Sequence, residues 1–166
     1  MAHYKIFQIS NKPIDKEDYI TPEDYEYGLV DGEYSDFMDY VDDELDDDET
    51  EKAVEECQKL LEETFSSNGR ELTFLGADKF IEEWVLEMKK QLDEIDPKEP
   101  VSFWKLQKMT TQTHHCIFSR FVWSEVNDDG VCSCYPEELG DFILMISKRL
   151  KPGDKVYIGG IVSFHY

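Results

Sequence analysis

The sequence predicts an α+β domain: a small, mostly antiparallel sheet with three or more helices packed on one of its faces. Three observations lead there. Strand-like patterns stand at both ends of the chain, a β-hairpin pattern lies between them, and two long stretches repeat apolar residues at helical spacing. A length of 166 residues fits one domain, spanning residues 1–166, in which residues 14–50 form an acidic and partly mobile segment.

The N-terminal strand is His3 to Ser10, buried on at least one side, with Tyr4, Ile6 and Gln8 on one face and Lys5, Phe7 and Ile9 on the other. Asn11-Lys12-Pro13 ends it. Thr21-Pro22-Glu23-Asp24 is a helix-start signature, and Ser35-Asp36 before Phe37 is a second. Tyr19, Tyr25, Tyr27, Tyr34, Phe37 and Tyr40 are interleaved with the acids here, which implies that part of this segment packs on the domain. Asp42 to Glu49 is expected to be its mobile piece.

Residues 50–66 predict a helix: Ala53, Val54, Cys57, Leu60, Leu61 and Phe65 share one face. Asp48 with Glu51 suits a capping box, and Ser66-Ser67-Asn68-Gly69 a left-handed stop. A second helix, capped by Asp78 and ending before Pro97, has Phe80, Ile81, Trp84, Val85, Met88, Leu92 and Ile95 as its apolar stripe. Phe103, Trp104, Leu106 and Met109 fit a short helix capped by Ser102. His115 to Val126 and Val131 to Tyr135 form a hairpin closed by Asn127-Asp128-Asp129-Gly130. Pro136-Glu137-Glu138 opens a third helix carrying Leu139, Phe142, Ile143, Ile146 and Leu150. The last strand, Lys155 to Tyr166, is interrupted by Gly159-Gly160, which implies a bulge or a close backbone contact.

Charge is the strongest signal about function. The net charge is −21, and residues 101–166 carry none of it, holding seven acids and seven bases. Asp15 to Glu51 holds 18 acids and Lys16 as its one base. Such a surface repels nucleic acid and anionic membranes. No apolar run approaches the ~20 residues needed to span a bilayer. Met1 to Ile6 shows no signal-peptide pattern, so the protein is expected to be cytoplasmic and its four cysteines reduced.

The motifs that would carry chemistry are weak. His114, His115 and Cys116 with Cys132 and Cys134 are all zinc-binding types. The hairpin, however, sets Cys132 and Cys134 opposite Glu125 and Trp123, leaving His114 to Cys116 roughly 23 Å along the partner strand. No nucleophile elbow and neither common phosphate loop is present. An EF-hand frame from Asp42 would place Asp47 where the loop needs glycine. No cofactor or metal is therefore assigned.

What remains is a non-catalytic acidic module that binds a basic protein surface, in one form a DNA mimic that occupies a nucleic-acid-binding site. Asp42, Asp43, Asp46, Asp47, Asp48 and Glu49 supply the charge, and Tyr34, Phe37 and Tyr40 the anchors. Two alternatives stand beside it. One is a small enzyme or metal protein built on His114, His115 and Cys116 or on Cys132 and Cys134; the other is a structural or assembly component.

Overall fold

The computed structural model describes residues 3–25, 40–96, 98–99 and 119–165. Its strands are β1 (His3–Ser10), β2 (Tyr40–Val41), β3 (Phe65–Asn68), β4 (Glu71–Phe74), β5 (Arg120–Asn127), β6 (Gly130–Ser133), β7 (Glu137–Glu138) and β8 (Lys155–His165). The helices are α1 (Asp47–Leu61), α2 (Asp78–Asp93) and α3 (Leu139–Ser147), with a 3-10 turn at Lys16–Asp18.

All eight strands join one sheet in the order β3-β4-β8-β1-β5-β6; β2 also pairs with β8, and β7 with β5. The fold is α+β as expected, but the sheet is larger than the four strands foreseen and is mixed. One interior pair, β1 with β5, is parallel, while the other pairings are antiparallel. The reason is burial. Parallel strands persist where both faces are covered, and Ile6 to Ser10 and Phe121 to Ser124 are buried throughout.

The alternation of β1 separates two cores. Phe7 and Ile9 enter the larger, with Phe121, Trp123, Val156 and Ile158 from neighbouring strands. Helices α1, α2 and α3 feed this side: α1 through Ala53, Cys57 and Leu61, α2 through Phe80, and α3 through Phe142, Ile143 and Ile146. Ile6 faces the other way and meets Val122, Val162 and Phe164. That second face is covered by Ile20 and Tyr25, so the start of the acidic segment does pack on the domain.

The glycine pair of β8 makes both features foreseen for it. Phe7 pairs with Ile161 and Ile9 with Ile158, so two residues of β8, Gly159 and Gly160, oppose the single residue Gln8. A Cβ on Gly160 would lie 2.5 Å from the Ile20 carbonyl oxygen, and one on Gly159 2.5 Å from Gln8 Oε1. Only glycine fits there.

Several local expectations are corrected. Helix α1 starts at Asp47, three residues early, and its capping box is Asp46 with Glu49 instead of Asp48 with Glu51. Ser66 to Gly69 is no helix stop: it belongs to the β3–β4 hairpin, where Gly69 takes φ 59° as the first residue of a two-residue turn. Phe65 and Phe74 close that hairpin with rings 5.2 Å apart. Glu138 is the N-cap of α3, as expected, but without a side-chain cap bond, and Glu137 and Glu138 also pair as β7 with Phe121 and Arg120. Residue Ala77, not Asp78, precedes the first turn of α2, and no side chain caps it. The short helix expected around Phe103 to Met109 lies outside the described residues. Among the described residues, no helix is long and apolar enough to cross a membrane.

Candidate protein-binding face

Helix α1 organises the acidic surface. The Asp46 carboxylate accepts from Glu49 N at 2.8 Å, and the Glu49 carboxylate accepts from Asp46 N at 3.1 Å, so both acids satisfy the helix start. Ala53, Cys57 and Leu61, four residues apart, turn one face into the core. Burial pushes the Cys57 thiol up, far above its ordinary value, which makes it a packing residue and not a nucleophile. Lys5 of β1 reaches Glu56 at 2.6 Å and ties the helix to the sheet. The opposite face, with Asp47, Asp48, Glu51 and Glu55, is exposed to solvent.

Asp42 is turned inward. Its carboxylate meets His165 Nε2 at 2.8 Å and accepts from Ser163 Oγ at 2.6 Å, and its backbone N–H donates to Ser163 O at 3.0 Å. These bonds hold β2 against the end of β8. A serine, a histidine and an aspartate thus meet, but Ser163 and His165 both bond the Asp42 carboxylate. That is not the order of a nucleophilic triad.

The nine residues singled out in the sequence therefore separate. Asp43, Asp47 and Asp48 are exposed, and among the described residues they form no ion pair or side-chain hydrogen bond. Asp42, Asp46 and Glu49 serve the fold. Tyr40 pairs through its backbone with His165. Tyr34 and Phe37 lie outside the described residues, as do His114, His115 and Cys116. The stretch Asp42 to Glu49, expected to be mobile, is tied down at both ends by the Asp42 bonds and the capping box.

Cys132 and Cys134 fall where the hairpin register put them. Cys132 pairs with Glu125, and Cys134 N donates to Trp123 O at 2.8 Å. Both thiols are free and exposed. Among the described residues, no three metal-binding side chains converge.

Two features escaped the sequence reading. Gln8 is fully buried and joins four segments: its amide nitrogen donates to Asp18 O and Ser124 Oγ, and its oxygen accepts from Ile20 N and Gly160 N. The available signal was one amide in an otherwise apolar strand core. Beside it Arg70, from the β3–β4 turn, donates to Ile158 O at 3.2 Å and Gly159 O at 2.6 Å, with its guanidinium over the Tyr19 ring. The second feature is a groove of about 370 Å³ beside the C-terminal half of α1, lined in part by Leu60, Phe80 and Leu139. Nothing local marks it, because its walls come from three separated segments.

Comparison with protein-family models, curated proteins and solved structures finds no match.

Proposed function

We propose that this protein is a non-catalytic acidic interaction module that binds a basic protein surface. The observation that carries the proposal is the exposed row Asp43, Glu44, Asp47, Asp48, Glu51 and Glu55, whose carboxylates have no ion-pair partner among the described residues. Asp47, Glu51 and Glu55 recur every four residues, about 6 Å apart along one helix face. Such a row attracts cationic side chains at long range and releases them as salt rises.

Charge density favours an ordinary basic partner over duplex mimicry. Helix α1 carries five exposed acids against Lys52 and Lys59 over its 15 residues, or about one net charge per 7 Å. Duplex DNA carries about one per 1.7 Å.

The test is affinity capture by the native protein and by a variant with Asp43→Asn, Asp47→Asn, Asp48→Asn and Glu51→Gln, at low and high salt. These positions leave the capping box and the Asp42 bonds intact. The expected result is a discrete basic partner that salt releases and the variant fails to hold, with the variant still folded and less stable by no more than about 2 kcal/mol, the loss of two acids from the first turn of α1. Capture that ignores both salt and neutralisation sinks the proposal, and adding duplex DNA as competitor tests whether the partner's site is one for nucleic acid.

A further inference from the structure

We infer that the groove beside the C-terminal half of α1 seats a large apolar side chain of a basic partner, between lysines or arginines that meet Glu62 and Glu63. The inference rests on the acidic-module reading and gives that module its anchor point. The groove's apolar floor is Leu60 from α1, Phe80 from the first turn of α2 and Leu139 from the start of α3, and its rim is Glu56, Lys59, Glu62 and Glu63. At about 370 Å³ it stands at the small end of ligand clefts, which run from roughly 300 to 1,000 Å³. One or two side chains fill such a space. Phe80 and Leu139 are buried in the core and close the bottom of the groove, so the apolar surface left for an incoming group to cover is that of half-buried Leu60.

Charge complementarity selects the occupant. Glu56 is held by Lys5, and Lys59 is the one cation lining the groove among the described residues. Glu62 and Glu63 are exposed and have no ion-pair partner among the described residues. They also sit at the wrong end of the helix. Glu62 is the C-terminal cap of α1 and Glu63 follows it, where the helix dipole is negative and anions are disfavoured. Lys59 in the last turn offsets part of this, but Glu62 and Glu63 have no ion pair among the described residues, and a conflict of this kind is expected at a functional site. A partner's cation over the helix end relieves it, while an adjacent aromatic or aliphatic side chain enters the groove, the arrangement of an interface anchor with a charged rim.

The experiment uses the full chain and two labelled probes, an acetylated Lys-Lys-Phe-Lys-Lys peptide and its counterpart with Gly for Phe. Binding is read by fluorescence anisotropy, and the site by backbone amide shifts. The Phe peptide is expected to bind roughly ten-fold more tightly, with shifts centred on Leu60 to Glu63, Phe80 and Leu139. Glu62→Gln with Glu63→Gln should weaken it, whereas Asp47→Asn with Asp48→Asn should leave the Phe-to-Gly ratio unchanged. Equal, salt-sensitive binding of both peptides, or shifts confined to Asp43 to Glu55, would overturn the groove and leave the acidic module standing. No salt-sensitive binding of either peptide would overturn both.

Discussion

Replacing Gln8 with leucine tests the central structural argument. Leucine nearly matches the volume of glutamine but has no polar atoms. The substitution leaves Ile20 N and Gly160 N, which now donate to Gln8 Oε1 at 3.1 and 2.8 Å, facing hydrocarbon. The Asp18 carbonyl and the Ser124 hydroxyl lose a donor as well, at 3.3 and 3.1 Å. Each orphaned buried group costs about 1–3 kcal/mol. Ser124 keeps its contact with Ser133 at 2.7 Å, so the two N–H groups dominate the loss. Gln8→Leu should therefore cost about 2–5 kcal/mol, a large share of the ~5–15 kcal/mol that holds a domain of this kind.

The assay is urea unfolding followed by tryptophan fluorescence and far-ultraviolet circular dichroism, with the midpoint falling and the slope unchanged. Ser133→Ala, which removes one hydroxyl from the same network, should cost no more than about 1 kcal/mol. The bulge sharpens the test: Gly160→Ala should destabilise more than Gly159→Ala. The added methyl at 160 meets the backbone of Ile20, whereas at 159 it meets the end of the Gln8 side chain. A loss below about 1 kcal/mol for Gln8→Leu would refute the reasoning, because buried backbone N–H groups left unpaired cannot be that cheap.

Other outcomes follow from single residues. Asp46→Ala should cost about 1 kcal/mol in urea unfolding through loss of the α1 cap, while leaving binding of a basic partner unchanged. Burial, with Asp141 next, raises the Glu137 carboxyl above its ordinary value against the opposing pull of Arg120. The folded chain then holds that proton more tightly than the unfolded chain, so the ionised group lowers stability at neutral pH and the penalty disappears below the carboxylate range. Glu137→Gln should accordingly raise Tm at neutral pH and gain less as the medium is acidified. Alkylation mapped by mass spectrometry should modify Cys132 and Cys134 in the native protein and reach Cys57 only on unfolding.

What the sequence disclosed was local, and what it withheld was long-range. The core face of α1 was legible because its apolar residues recur within a turn or two, whereas of the stripe foreseen on α2 only Phe80 is buried, and Val85 and Leu92 are exposed. The β5–β6 hairpin was legible because Asn127 to Gly130 carries its own turn chemistry: the Asn127 carbonyl oxygen of the side chain accepts from Asp129 N at 2.9 Å. The β3–β4 hairpin was not, since Asn68-Gly69 serves a helix end as well as a hairpin turn, and only the distant Phe65–Phe74 contact distinguishes them. The acidic run likewise offers two capping frames, Asp46 with Glu49 and Asp48 with Glu51, that local chemistry does not separate. The parallel pairing of β1 with β5 joins residues more than 110 positions apart, as the Ile6–Arg120 pair shows. Of the candidate site, the charge was legible, but not which carboxylates the fold consumes.

That division bears on why the chain is so acidic. Asp46 and Glu49 cap α1, Asp47 and Asp48 lie in its first turn, and Asp42 is bonded to His165. Negative charge at a helix start is favourable by about 0.3–1 kcal/mol per group, so this part of the acidity needs no partner. Glu62 and Glu63 are the opposite case, lying against the negative end of the same helix. If their role is binding, Glu62→Lys with Glu63→Lys should stabilise the isolated protein by about 0.3–1 kcal/mol per site while abolishing capture of the Lys-Lys-Phe-Lys-Lys probe. Urea unfolding and anisotropy on the same preparations read both quantities. A loss of stability would show that these two acids serve the fold after all, and the electrostatic argument for the groove would fail with them.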